Sequence, residues 1–216
     1  MKIVTVLKSG GKFNEKQVHD LKIMCDNHAS GHDFACLTDM SPDCETIPIQ
    51  DDWPDDWAKI ELFRLPGPFL YLDPDTIITN RINEAIGNLN RYPFGIMRHW
   101  DIYKTKKHKS FNTRMIMDTS VLSWTKPQYH IYETFKTKSE FYIDEFSDNN
   151  DFVQDYFVDH RLTKPTLDHG YTYSYIEDIT DHVAVHKYDF DTLLDVNPNT
   201  QRILINHESI IHRSPL

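Results

Sequence analysis

Two aspartates separated by a proline, Asp73-Pro74-Asp75, follow the apolar run Phe69-Leu70-Tyr71-Leu72. Carboxylate oxygens are the hard ligands that Mg²⁺ and Mn²⁺ prefer, and residues two apart in an extended chain project to the same face. If the strand continues through the pair, both side chains can converge on one cation. A nucleotide diphosphate would supply further anionic oxygens, so the metal would join the protein to a leaving group.

The position of the pair supports this chemistry. Pro74 lacks an N–H and has a fixed φ, so sheet pairing should finish there. Open α/β sheets bind ligands at the carboxyl ends of their strands. The tripeptide alone is a weak signal in an acidic chain, because Asp189-Phe190-Asp191 repeats it.

An EF-hand loop is the main alternative for the same segment, since Asp73, Asp75 and Glu84 occupy its first, third and twelfth positions. Its fifth position needs an oxygen ligand and its sixth a glycine, whereas this chain has Ile77 and Ile78. The sequence therefore disfavours a calcium loop.

The elements around the pair follow from the hydrophobic pattern. Short apolar runs alternate with amphipathic stretches in the first half, as in parallel strands joined by crossover helices. The pattern predicts strands at 2–7, 33–38 and 69–72, a turn at 9–11, and helices after Asn14 and at 57–63. Asn14 should cap the first helix, and the inward residues of that helix should be Val18, Leu21, Met24 and Cys25.

The second half is less regular. It predicts strands near 94–97, 119–123 and 203–205, and helices near 127–135 and 151–160. We expect one domain over residues 1–216, with a nucleotide-binding half at 1–80 and an acceptor-binding, metal-completing half at 81–216.

Composition excludes several classes. With 23 basic and 33 acidic residues the net charge is -10, which argues against nucleic acid as a partner. No apolar run reaches the ~20 residues of a membrane span, and Cys25, Cys36 and Cys44 fit reduced thiols in a cytoplasmic protein. The basic cluster at 104–109 is either a solvated loop or a flap for phosphate groups. The oligomeric state is not predicted.

The run Trp57-Ala58-Lys59-Ile60-Glu61-Leu62-Phe63, followed by residues 69–76, resembles the donor-binding core of GT-A glycosyltransferases. It is most similar to bacterial and phage-type relatives of the glycogenin-like (family 8) enzymes. The resemblance implies an α/β, Rossmann-like fold with a mixed central sheet flanked by helices. It also implies that Asp73 and Asp75 bind metal and nucleotide, and that Lys59 contacts donor phosphate or ribose.

Two further segments resemble the nucleoside-binding part of that family. The run Val6-Leu7-Lys8-Ser9-Gly10-Gly11 is similar to its first strand and following loop, which implies that Leu7, Lys8, Ser9 and Gly10 receive the nucleoside. The run Cys36-Leu37-Thr38-Asp39 is similar to its second strand, which implies a binding role for Asp39. From the residues alone, the glycines equally fit a tight turn and Asp39 a loop cap.

The likeness continues more weakly toward the acceptor side. Asp118-Thr119-Ser120-Val121 is similar to the family's Asn-Ser-Gly-Val beside the transferred sugar, with Asp118 and Ser120 as substitutions. Asn149-Asn150-Asp151 resembles an acidic motif near the reacting carbon, in which Asn149 departs from the pattern and Asp151 keeps the carboxylate. Asp151 equally fits the N-cap of the next helix.

The end of the chain resembles the part of the family that completes the metal site. Ile203-Leu204-Ile205-Asn206-His207 is similar to a strand ending in a metal-binding histidine, which implies His207 as the third protein ligand, with His212 as the alternative. Arg213 is a loose counterpart of the basic donor contact that follows in the family.

Together these residues predict a metal-dependent glycosyltransferase. It would use Mn²⁺ or Mg²⁺ to move a hexose from a UDP-sugar to a hydroxyl of a carbohydrate or other acceptor. A sugar-nucleotide pyrophosphorylase is one alternative, although residues 8–13 lack its longer glycine-rich loop with an arginine. A catalytically inactive nucleotide- or carbohydrate-binding module is another, because of the substitutions at Ser120, Asn149 and the chain end.

Overall fold

A computed structural model describes residues 1–78, 81–90, 94–98, 117–159, 172–174 and 185–187. Its strands are β1 (Lys2–Leu7), β2 (Phe34–Thr38), β3 (Glu45–Pro48), β4 (Phe69–Leu72), β5 (Thr76–Ile78), β6 (Phe94–Arg98), β7 (Met117–Trp124), β8 (Thr172–Ser174) and β9 (Val185–Lys187). Its α-helices are α1 (Glu15–His28), α2 (Asn83–Leu89), α3 (Tyr129–Thr137), α4 (Ser139–Glu145) and α5 (Asn149–Asp159). A 3₁₀ helix spans Asp55–Arg64.

The central sheet has six strands in the order β3-β2-β1-β4-β7-β6. The strands β3, β2, β1 and β4 are parallel, whereas β7 runs antiparallel to both β4 and β6. A second sheet has the order β5-β9-β8. The predicted mixed α/β architecture is confirmed, with β1 and β4 at the centre of the main sheet.

Alternation along the central strands sends side chains into two apolar layers. In β4, Leu70 and Leu72 pack with α1 and α2, whereas Phe69 and Tyr71 pack on the opposite face with the 3₁₀ helix, α3 and α5. Asp73 comes next in the alternation after Tyr71. The strand pattern therefore points the first aspartate of the pair toward the 3₁₀ helix.

The first helix begins as its sequence predicts. The Asn14 side chain accepts a hydrogen bond from the Gln17 N–H, and the Gln17 side chain accepts one from the Asn14 N–H, which forms a capping box. Val18, Leu21 and Cys25 are buried, and Met24 is half-buried. The helix ends at His28, and Gly31 follows in a turn with a positive φ of 85°.

The segment predicted as a helix at 57–63 forms a 3₁₀ helix of ten residues, Asp55–Arg64. Most 3₁₀ helices are only three or four residues long. All seven residues from Trp57 to Phe63 are buried, so the segment lies inside the fold. Leu65 leaves it in extended conformation, as a residue before proline does.

Most other predicted bounds shift by one or two residues. Six short elements were not predicted, namely β3, β5, α2, α4, β8 and β9. The predicted strand at 203–205 and the basic cluster at 104–109 lie outside the described residues. Within the described ranges, no helix has the length and apolar character needed to cross a bilayer.

Candidate functional site

The two aspartates lie on a β-turn at the carboxyl end of β4. The Thr76 N–H donates to the Asp73 carbonyl at 3.0 Å, which closes a turn with Pro74 and Asp75 at its centre. The strand does not continue through the pair, since β4 stops at Leu72, so the condition for both side chains to project from one strand face is not met. The expectation that pairing ends at Pro74 is confirmed, and the turn now sets the direction of both carboxylates.

Asp73 is completely buried and forms an ion pair with Lys59, whose side chain is also buried. The Lys59 Nζ lies 2.7 Å from Asp73 Oδ1, and the Tyr71 hydroxyl donates to the same oxygen. The second oxygen of Asp73 and Oδ1 of Asp75 are buried too. The family resemblance placed Lys59 in the same donor-binding site as the two aspartates, and in the structure Lys59 contacts Asp73 directly.

Tyr71 was not among the predicted site residues. Burial raises its pKa well above the ordinary value, and the carboxylates of Asp73, Asp56 and Asp75 raise it further. Its hydroxyl therefore stays protonated and donates to Asp73. The three carboxylates that act on this phenol show how much negative charge gathers at the end of β4.

The loop after β1 forms a second polar group. Lys8 Nζ lies 2.5 Å from Asp39 Oδ2 and 2.8 Å from Asp52 Oδ1. Ser9 donates to Asp39 through its N–H at 2.8 Å and its hydroxyl at 2.6 Å. Gly10 has a φ of 75°, a left-handed conformation that glycine adopts at no steric cost.

Lys8 and Asp39 stabilise each other in their charged forms. The hydrogen bonds to Asp39 and Asp52 raise the pKa of Lys8. Burial raises the pKa of Asp39, but the hydrogen bonds from Lys8 and Ser9 outweigh it and bring the value to about 2. Asp39 is thus an ionised acceptor at any physiological pH.

A pocket connects this loop to the 3₁₀ helix. Its lining consists of Val6, Lys8, Gly11, Lys12, Phe13, Asp55, Asp56 and Lys59. Lys59 therefore links the pocket to the Asp73 turn, and the nucleoside loop predicted from the sequence and the predicted metal-binding turn border one continuous region.

On the other side of β4, strand β7 carries Asp118. The Asp73 N–H donates to the Ser120 carbonyl at 3.0 Å, so β7 reaches the turn through its backbone. Asp118 is buried, and its Oδ1 accepts from the Ser120 N–H at 2.8 Å and from the Ser120 hydroxyl at 2.5 Å. Ser120, which replaces the family's glycine, thus donates hydrogen bonds to Asp118, which replaces the family's asparagine.

The first two residues of α5, Asn149 and Asn150, contact β7 through their side-chain amides. Neither residue was among the predicted site residues. The Asn150 Oδ1 lies 2.7 Å from the Thr119 N–H, and the Thr119 hydroxyl contacts the amide oxygens of both Asn149 and Asn150. Asn149 is buried. Asn149, the position that departs from the family pattern, therefore helps Asn150 to hold the start of α5 on the strand.

Asp151 lies on the first turn of α5 but does not cap it. Its N–H donates to Asp148 Oδ1 at 3.0 Å, which makes Asp148 the capping side chain. The Asp151 carboxylate accepts from the Ser147 hydroxyl. The alternative role as N-cap is wrong for Asp151, while its catalytic role stays a prediction.

Among the described residues, no group of three or more His, Cys, Asp or Glu side chains has the geometry of a metal site. The predicted third ligand His207, its alternative His212 and the donor contact Arg213 all lie outside the described residues. The structure thus brings Lys59 into contact with Asp73 and places Asp75 on the same turn as Asp73, and the role of all three predicted metal ligands stays a prediction.

Solved structures share this fold. The glycosyltransferase GlyE from Streptococcus pneumoniae TIGR4 superposes with a TM-score of 0.58 at 12% identity, over 79% of this chain and 46% of that one. Its apo form gives 0.53 at 14% identity. A glycosyltransferase involved in the glycosylation of the major capsid of PBCV-1 gives 0.51 at 12% identity, over 97% of this chain and 99% of that one.

The chain therefore has the fold of these glycosyltransferases, which confirms the predicted Rossmann-like transferase fold. It spans about half the length of the GlyE structures. No protein-family model and no curated protein sequence matches it.

Proposed function

We propose that this protein is a glycosyltransferase that moves a hexose from a UDP-sugar to an acceptor hydroxyl with the help of a divalent cation. The observation that carries the proposal is the buried Lys59–Asp73 pair, with Asp75 on the same turn, beside a pocket at the carboxyl end of the central strands. The shared fold with glycosyltransferases supports it.

The residues at the turn fit Mn²⁺ or Mg²⁺. Asp73 and Asp75 supply hard carboxylate oxygens. Lys59 and Tyr71 both contact Oδ1 of Asp73, which fixes the carboxylate plane before any ligand binds. His207 would complete the set. A cation bound here would stabilise the negative charge that develops on the departing diphosphate.

The nucleoside would bind at the loop after β1. Asp39 is held ionised by Lys8 and Ser9, so its carboxylate can accept hydrogen bonds from ribose hydroxyls or from the base. Leu7 is buried at the end of β1, and Gly10 leaves the loop surface open to a ligand. Lys59 would then lie between the nucleoside loop and the metal turn, where the diphosphate has to pass.

In the reaction, the acceptor oxygen bonds to C1 of the hexose as the bond between C1 and the diphosphate oxygen breaks. The electron pair of that bond leaves with UDP, and the acceptor proton passes to a base or to solvent. Asp151 and Asp118 are the candidates on the acceptor side. Asp118 is tied to Ser120 in the interior, whereas the Asp151 carboxylate contacts the exposed Ser147 in the part of the chain that the structure describes, which favours Asp151 as the group near the reacting carbon.

The test is product formation. The protein is incubated with Mn²⁺, a panel of nucleotide sugars and simple sugar acceptors, and the released nucleotide is measured. Activity with a UDP-hexose that is lost in Asp75→Asn and kept in Asp26→Asn, an exposed carboxylate on α1, supports the proposal. Nucleotide binding without turnover under any donor would favour the inactive binding module, and cleavage of the donor by pyrophosphate would favour the pyrophosphorylase.

A further inference from the structure

Lys12 and Lys59 line the same pocket and share one carboxylate. Asp56 Oδ2 lies 2.8 Å from Lys12 Nζ, and Asp56 Oδ1 lies 3.8 Å from Lys59 Nζ. The two ammonium groups are thus held on the two oxygens of a single side chain. Neither the sequence pattern nor the resemblance gave Lys12 or Asp56 a role.

Both the backbone and the side chain of Lys12 contact the start of the 3₁₀ helix. The Lys12 N–H donates to Asp55 Oδ1 at 3.2 Å, which ties the loop after β1 to the start of the 3₁₀ helix. A Cβ on Gly11 would lie 3.0 Å from the same oxygen and 3.1 Å from the Lys8 carbonyl, so a larger residue at Gly11 would push the loop and Asp55 slightly apart. The Lys12 side chain is 41% exposed, against 6% for Lys59. Lys12 can therefore reorient toward a ligand, whereas Lys59 is fixed.

The negative charge around the pocket favours a further mobile ammonium group such as that of Lys12. Lys59 lies near the carboxylates of Asp56 and Asp73, and Asp55 lines the same pocket, so a nucleoside diphosphate would bring further negative charge into an acidic space. The proposed cation would offset part of this charge. Lys59 is already paired with Asp73, and Lys8, which also lines the pocket, is paired with Asp39 and Asp52. A further ammonium at the pocket edge lowers the remaining repulsion, and it can do so only by leaving Asp56.

We propose that Lys12 is a second phosphate-binding residue, and that Lys12 and Lys59 together bind the donor diphosphate after a phosphate replaces Asp56 as the partner of Lys12. This inference rests on the proposed function. Asp56 keeps the two ammonium groups aligned in the unliganded protein and competes with the incoming phosphate, because both are anions that use the same donor.

The test measures binding of two probes, UDP with Mn²⁺ and inorganic pyrophosphate, by calorimetry. Lys12→Ala should weaken both by about fivefold, the size expected for a partly exposed charge pair. Lys22→Ala is the matched control, because Lys22 forms an exposed ion pair of the same 2.8 Å length with Asp26 on α1. That control should bind both probes like wild type.

A second pair of variants tests the competition. Asp56→Asn should tighten pyrophosphate binding by about threefold, since it removes a charge that repels the probe. The gain should shrink in Lys12→Ala/Asp56→Asn, because the released lysine is absent and the two changes are coupled. Asp26→Asn is the control and should leave affinity unchanged.

The outcomes separate this inference from the proposed function. If wild type binds UDP with Mn²⁺ but Lys12→Ala binds it equally well, Lys12 has no phosphate role and only this inference fails. Weaker pyrophosphate binding by Asp56→Asn, or an equal gain with and without Lys12, overturns the competition. If wild type binds neither probe, the proposed donor site fails and this inference with it. Urea unfolding of Lys12→Ala should match wild type, which excludes a folding defect.

Discussion

Lys59 on the 3₁₀ helix and Asp73 after β4 meet in the interior, with 2.7 Å between Nζ and Oδ1. A buried ion pair contributes little net stability compared with apolar residues of the same size, but loss of one partner leaves an uncompensated charge in the core. The fold therefore keeps this pair at a cost that stability alone does not explain. The proposed role in donor and metal binding would explain it.

Lys59→Ala should destabilise the protein by about 3–5 kcal/mol, the cost of leaving a buried carboxylate unpaired. Urea unfolding measures this free energy. The double variant Lys59→Met/Asp73→Asn should recover most of the loss, because no charge remains buried, yet it should not bind UDP with Mn²⁺. If Lys59→Ala unfolds like wild type and keeps its donor KM, the pair is unimportant to both fold and function.

Asp75→Asn should keep the fold and lose metal-dependent nucleotide binding. Asp75 is half-buried on the turn, so the isosteric amide preserves its packing while removing a charged ligand oxygen. Partners around a metal site commonly change affinity by about 10–100-fold, and a direct ligand should cost at least as much. Calorimetric titration with UDP and Mn²⁺ measures the loss, with Asp26→Asn as the control. Unchanged affinity would remove Asp75 from the metal site.

Acid should destabilise the loop after β1 through Asp39. Its pKa of about 2 in the folded protein lies below the ordinary value of about 4. Ionised Asp39 therefore stabilises the fold fully above about pH 4, and this contribution is lost as the pH falls toward 2. Urea midpoints between pH 2 and 5 should fall less steeply for Asp39→Asn than for wild type. Equal slopes would show that Asp39 is not held by Lys8 and Ser9 in solution.

Asp151→Asn should lower kcat far more than donor affinity, since the carboxylate is expected beside the reacting carbon. Asp148→Ala provides the comparison, because it removes the cap of the same helix and should cost about 1 kcal/mol of stability with little effect on kcat. Steady-state kinetics and urea unfolding of both variants distinguish the roles. Wild-type turnover in Asp151→Asn would leave it a surface residue of α5.

The sequence predicted the elements whose signals are local. Asn14 caps α1 because its box partner is three residues away. Strand β4 is a continuous apolar run between Pro68 and Pro74, so it is visible without any partner strand. The 3₁₀ helix was predicted only as a helix, since a run buried on all sides shows no period that separates the two geometries. Strand β3 was missed because its short edge sequence is largely exposed and has no apolar alternation.

Contacts between distant residues explain what the sequence could not show at the site. Asn149 accepts a hydrogen bond from Thr119, which lies on another element, so its role is not visible in the local sequence. Tyr71 belongs to an apolar run, and its hydroxyl is significant only because Asp73 lies two residues further on the same face. That spacing is visible in the sequence and would have identified Tyr71.

The turn that carries Asp73 and Asp75 also joins the two sheets. Asp73 still donates to Ser120 beside the central sheet, while β5 begins at Thr76 and pairs with β9 of the smaller sheet. A cation that fixes this turn would therefore restrict how the sheets move against each other. Amide hydrogens of β5 and β9 should then exchange more slowly with Mn²⁺ and UDP bound, even though β9 is far along the chain from either aspartate.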